Sequence, residues 1–236
     1  FLTGSEADDE QYTSITLEAD FILPKKLKER ERGYFRTGFT TASVAGFHRA
    51  LTSSATDFTW HSDDYFIKMY AIRDAVESDH VRFMVTGSGF KITSSLYRMA
   101  YDNQKWLLAT RVKHEDYPYA GITGSDSSKS YTVEFHGINT NGPYVEGGPF
   151  TLTASVSNAI GKSLLSSAKR VYAGAHRTNF TGSIVERSDI LLSQVRYWQS
   201  YIDDDTIKQH ALDSVNYGVN HATQTDSLFA TPFFFF

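Results

Sequence analysis

Ile15-Thr16-Leu17-Glu18-Ala19-Asp20-Phe21-Ile22-Leu23 is the stretch that decides the fold. Ile15, Leu17, Ala19, Phe21 and Leu23 alternate with Thr16, Glu18 and Asp20, the period-two pattern of a strand with one face on a core. The same alternation returns along the chain. Val81, Phe83 and Val85 flank Arg82 and Thr86; Trp106 and Leu108 lead to Thr110 and Val112. Tyr131, Val133 and Phe135 alternate with Thr132, Glu134 and His136, and Phe150, Leu152, Ala154 and Val156 with Thr151, Thr153, Ser155 and Ser157. Each strand turns its other face to solvent or to a second layer. Gly87-Ser88-Gly89 and Asn139-Thr140-Asn141-Gly142-Pro143 supply turn chemistry in the gaps. Many short strands separated in this way predict an all-β sandwich or barrel.

Two segments depart from the pattern. Pro24 to Arg32 is charged and reads as a loop or short turn. Asp204 to Tyr217 reads as a helix: Asp203 to Asp205 supply a cap and favourable charge, Ile207 and Ala211 lie one turn apart, and Gly218 suits the far end.

The chain has 236 residues, enough for one large all-β domain with a full core. Its 23 basic and 27 acidic residues leave a net charge of −4, which argues against a dedicated nucleic-acid binder. Cysteine is absent, so disulfides and thiolate metal sites are excluded. No apolar run approaches the roughly 18–20 residues of a membrane helix. The sequence opens on Phe1 and closes on Phe233, Phe234, Phe235 and Phe236. An exposed cluster of that kind would be adhesive. It is therefore expected to belong to a longer chain and to be covered by a neighbouring chain or domain.

Residues 169 to 218 carry a family pattern. Arg170-Val171-Tyr172-Ala173-Gly174-Ala175 is followed by Phe180-Thr181-Gly182-Ser183-Ile184, then Ser188-Asp189-Ile190, Val195-Arg196-Tyr197-Trp198, Tyr201-Ile202, Asp205-Thr206-Ile207 and His210-Ala211. This resembles the C-terminal half of a laminin G-like, concanavalin A-like domain. Upstream, Tyr12 to Phe21 is similar to the family's first long strand, and Asn103-Gln104-Lys105-Trp106 to Thr110 to its turn-plus-tryptophan strand. The likeness spans roughly residues 10 to 218, and its closing stretch through Asp213 to Gly218 is similar to lectin-like domains in structural proteins of tailed phages. The resemblance implies an antiparallel jelly-roll β-sandwich with a short C-terminal helix. Residues 1–10 would form an N-terminal arm, 11–218 the sandwich, and 219–236 a linker or extension. Trp106 and Trp198 would fill the core rather than meet ligand.

Several glycoside hydrolases share the implied fold, and their chemistry requires an acid pair. Retaining enzymes need two carboxylates about 5 Å apart. In the sandwich hydrolases they sit on one strand as E-x-D-x-x-E. Glu18 and Asp20 fill the first two positions, but Leu23 stands at the third, and both acids are accounted for as a strand's polar face. No G-x-S-x-G elbow, H-E-x-x-H helix, Walker loop or EF-hand loop is present.

A sugar site needs exposed aromatics beside polar groups. Trp60, His61, Asp63, Asp64 and Tyr65 form one candidate, and Tyr117 and Tyr119 around Pro118 a second. His61 to Asp64 and His114-Glu115-Asp116 carry hard ligands, and calcium is the ion the resemblance implies for such rims; solvated loop charge is the preferred reading of both runs. Asn179-Phe180-Thr181 is a glycosylation sequon, relevant only to a secreted eukaryotic chain. No cofactor is expected.

The expectation for function is a non-enzymatic structural or adhesion module of a larger virion or extracellular protein, such as a capsid decoration or tail component. Its partners would be other structural chains and a cell-surface glycan, with no nucleic acid and no membrane span. A carbohydrate-binding lectin domain is the alternative, and a glycoside hydrolase the third.

Overall fold

The computed structural model describes residues 14–25, 39–49, 67–117, 129–166, 169–177, 183–215 and 232–235. The chain is mostly β, in antiparallel sheets with little helix. Strand β1 (Ser14–Leu23) is the centre of a six-stranded sheet. It pairs on one side with β6 (Gln104–His114), which continues to β7 (Tyr131–Asn141) and β8 (Tyr144–Val156). On its other side stands β12 (Leu191–Trp198), followed at the edge by β13 (Pro232–Phe235). The five-stranded sheet runs β5 (Phe90–Thr93), β4 (Val81–Gly87), β3 (Ile67–Arg73), β2 (Thr41–Arg49) and β9 (Lys169–Ala173). A two-stranded ribbon, β10 (His176–Arg177) with β11 (Ile184–Glu186), is separate from both.

Alternation explains why the two large sheets meet. Ile15, Leu17, Ala19, Phe21 and Leu23 of β1 enter one core with Ala42, Val44 and Phe47 of β2, Ile67, Met69 and Ala71 of β3, and Val81, Phe83 and Val85 of β4. Phe83 is the aromatic centre, with ring centroids 4.5 Å from Trp106, 5.8 Å from Tyr97 and 6.3 Å from both Phe21 and Phe150. Large rings burying about 150–250 Å² each dominate such a core.

The outer face of β1 corrects one expectation. Thr16, Glu18 and Asp20 are not a solvated polar face; all three are buried. They lie under helix α2 (Asp204–Leu212), whose Ile207 and Ala211 pack with Leu107, Ala109, Ile138, Trp198 and Ile202 in a second, smaller core. Trp106 therefore fills the inter-sheet core and Trp198 the core beneath the helix.

The helix is shorter than expected. Asp203 is its N-cap, accepting the Thr206 amide at 2.7 Å, and Asp204 and Asp205 fill the first turn. It stops at Leu212 because Asp213 is extended at φ −137°, while its amide still reaches the Gln209 carbonyl. The periodicity missed helix α1 (Asn158–Ser166), which buries Leu164 and Leu165. The Asn139 to Pro143 turn is also tighter than the composition suggested. Pairing persists to Asn141 opposite Tyr144, which leaves Gly142 and Pro143 as the turn.

Along β8 the ladder is interrupted. Gly137 faces Phe150, and the next pair is Asn139 with Glu146, so Gly147, Gly148 and Pro149 fall out of register. Both glycines hold positive φ, 67° and 76°, where a side chain would be strained. At the opposite edge, Pro232–Phe235 returns to the sheet beside β12, with Pro232 at the first position, where a missing amide is tolerated. Phe233, Phe234 and Phe235 thus belong to a strand, whereas the sequence placed them in an extension; Phe236 lies outside the described residues. Among the described residues no helix is long and apolar enough to cross a membrane.

Candidate functional site

Among the described residues, two groups of charged side chains stand on the outer faces of the two sheets. The first is the layer between the six-stranded sheet and α2. Glu18 receives Nδ1 of His210 at 2.9 and 3.1 Å and Nη1 of Arg196 at 3.1 Å. His210 stacks flat on Trp198, with centroids 5.5 Å apart and planes 4° from parallel. Asp20 pairs with Lys105 at 3.0 Å, and the same ammonium donates to the Ala211 carbonyl at 2.9 Å, near the C-terminal end of α2. Burial pushes the Asp20 carboxyl above its ordinary range, against the pull of Lys105.

Arg111 secures the other end of the helix. Its guanidinium reaches Asp204 at 2.6 Å, the Ile202 carbonyl at 3.0 Å and Glu134 at 2.8 Å, and lies over the Tyr201 ring. Burial alone would raise Asp204, but the hydrogen bond and charge of Arg111 prevail and hold it low. Burial lowers His136, whose Nδ1 lies 2.6 Å from the Thr151 hydroxyl. These contacts tie α2 to the sheet, with the Glu18 and Asp20 side chains buried beneath it.

The second concentration is open. On β3, Ile67, Met69 and Ala71 point into the core, so Lys68 and Tyr70 point out. Across the register, Thr86 stands beside Lys68 and Met84 beside Tyr70 on β4. Glu186 of the ribbon completes a depression of about 520 Å³, lined by these four residues with Thr41, Gly87 and Glu186. That volume falls in the roughly 300–1,000 Å³ range of small-molecule sites.

Glu186 is positioned by two hydrogen-bond partners and one nearby charge. Tyr70 donates its hydroxyl to Oε1 at 2.6 Å, His176 sits 3.2 Å from Oε2, and Lys68 lies 3.9 Å from Oε1. Burial would raise this carboxyl; the hydrogen bonds from His176 and Tyr70 and the charge of Lys68 outweigh it and lower the pKa. The ribbon itself is tied down where the Ser43 amide donates to the Arg187 carbonyl at 2.9 Å. Tyr172 stacks on His176 with centroids 4.7 Å apart and lies across Gly46. A Cβ on Gly46 would fall 2.5 Å from the Tyr172 hydroxyl, so glycine is required for this close approach.

None of these lining residues was singled out by sequence reasoning. The alternation Ile67-Lys68-Met69-Tyr70-Ala71 was available as a signal for the outward pair. Nothing local pointed to Glu186, which arrives from a distant ribbon. The expected sugar loop Trp60, His61, Asp63, Asp64 and Tyr65 lies outside the described residues, as do Tyr119 and the Asn179 sequon. Tyr117 is half-buried with its ring 5.3 Å from Tyr201. His114, Glu115 and Asp116 are engaged locally: Glu115 accepts from Ser130, Asp116 pairs with Lys129, and the Asp116 amide donates to His114. Among the described residues no three His, Cys, Asp or Glu side chains form a metal-holding group.

Neither a family model nor a curated protein matches the chain. Among solved structures it is similar to the full-length tailspike protein 2 of Escherichia coli O157:H7 bacteriophage CAB120, at 10% identity and a TM-score of 0.43. The alignment covers 89% of this chain and 23% of that one, so the chain spans less than a quarter of the tailspike's length.

Proposed function

We propose that the chain is a non-enzymatic structural or adhesion module of a larger virion or extracellular protein. In this reading the stacked sheets are a jelly-roll sandwich of the laminin G-like, concanavalin A-like type, which works by packing against other chains and by surface contact with glycans. The supporting observation is the fate of the acids. The strand pair suited to glycosidic chemistry, Glu18 and Asp20, is sealed under α2 and engaged by Arg196, His210 and Lys105. Among the described residues, the open depression between β3, β4 and β11 is lined by one carboxylate, Glu186. One carboxylate can orient a hydroxyl but does not make an acid–nucleophile pair.

The test is incubation of the chain with a panel of bacterial-surface and plant polysaccharides, reading affinity-electrophoresis retention and reducing ends together. Retention without new reducing ends is expected. Release of reducing ends by the intact chain would overturn the non-enzymatic reading.

A further inference from the structure

We propose that the depression between β3, β4 and β11 binds a neutral, hydroxyl-rich saccharide unit, with Lys68 and Glu186 sharing one ligand hydroxyl. This deepens the glycan-contact part of the function proposed above and rests on it.

The argument begins with charge. Lys68 and Glu186 face each other at 3.9 Å, at the outer limit of an ion pair, and their side chains are 14% and 25% exposed. A sugar hydroxyl both accepts and donates. It can accept from the Lys68 ammonium while donating to Glu186, so two opposite charges at this spacing suit one hydroxyl. An anionic ligand would meet Glu186, and a cationic ligand would meet Lys68. Neutral polyols satisfy both.

The rest of the lining agrees. Thr41 and Thr86 add hydroxyls at the wall. Met84 and Gly87 offer an apolar surface to the C–H face of a sugar ring. Glu186 is held in place before any ligand arrives, by Tyr70 at 2.6 Å and His176 at 3.2 Å. A carboxylate fixed in this way loses little freedom on binding. Glu186 is ionised, and so an acceptor, at neutral pH.

The experiment is saturation-transfer NMR with titration of the intact 236-residue chain, using lactose, maltotriose and cellotriose as neutral probes, with glucuronate-containing and glucosamine oligomers alongside. At least one neutral probe should bind, more tightly than both charged classes. Lys68→Met and Glu186→Gln should each weaken it by at least about tenfold, the loss of one charge-assisted hydrogen bond. Because Glu186 also anchors the ribbon, Thr86→Ile is the second variant. It removes a lining hydroxyl and adds bulk while sparing the Tyr70 and His176 contacts, and it too should weaken binding. Unchanged affinity in Lys68→Met and Thr86→Ile would overturn the site while leaving glycan contact elsewhere on the chain. Tighter binding of a charged class would overturn the neutral assignment. Failure of every probe, together with no polysaccharide retention, would overturn both the site and the glycan contact of the proposed function.

Discussion

Glu18 and Arg196 meet at 3.1 Å with each side chain only 1% exposed, on neighbouring strands of the six-stranded sheet and beneath a helix. An ion pair this deep is costly to form and more costly to halve. Removing either partner leaves the other buried without its opposite charge, Glu18 with only His210 and Arg196 with only the neutral acceptors Gln194 and Ser214. Glu18→Gln or Arg196→Met should each lower unfolding stability by about 3–5 kcal/mol. The joint replacement Glu18→Leu with Arg196→Met should cost less than the two single losses together, the residual cost including the lost acceptor of His210. Denaturant midpoints of the three variants check it; losses that simply add would show that the two side chains do not act as a pair.

Asp203 makes a smaller, local contribution. Its side chain satisfies the Thr206 amide at the start of α2. Asp203→Ala should cost about 1 kcal/mol, as other lost helix caps do. Hydrogen exchange should quicken in the first turn of α2 while the inter-sheet core stays protected. Uniform acceleration through both cores would contradict this.

Lys169 supplies an alkaline signature. Burial depresses its ammonium to about 7, with Nζ donating to the Leu165 carbonyl at 2.7 Å. The unfolded chain holds that proton up to the ordinary lysine value near 10.5. Between about 7 and 10.5 the unfolded state binds more protons, so stability rises with pH across that window. Lys169→Met should flatten the rise, measured as thermal midpoints at pH 7 and 9.

Glu186 supplies the acid counterpart. Its folded pKa lies below the ordinary glutamate value of 4.5. Its contribution is complete above 4.5 and is lost as pH falls through the lowered folded value. Acid should therefore loosen the ribbon of β10 and β11 from the Tyr70 face, and Glu186→Gln should remove that part of the acid sensitivity. A pH-resolved exchange profile at residues 184–186 reads it. No difference between the two proteins at pH 3 and 5 would sink the idea.

Legibility followed the range of each interaction. The inward face of β1 was readable because period two is written in adjacent residues, and Phe83 and Trp106 followed by the same logic. The outward face was misread because its cover, α2, lies about 190 residues away in sequence. Glu18 next to Ala19 does not announce a distant His210. The helix end was misplaced because Gly218 was read as its cap, whereas the extended Asp213, its amide on the Gln209 carbonyl, closes the helix after Leu212; the weak helix formers Asp213, Ser214 and Val215 were the signal for the earlier end. In the depression, Lys68 and Tyr70 were legible as outward positions, but their function depends on Glu186, which only ribbon closure delivers.

The interrupted ladder on β8 has a consequence for how copies of this chain meet. As the outermost strand of its sheet, it would otherwise offer a long row of unsatisfied amides and carbonyls to any passing strand. Gly147, Gly148 and Pro149 break that row in the middle, and proline removes a donor outright. On this side the described sheet therefore resists growing strand by strand through a second copy.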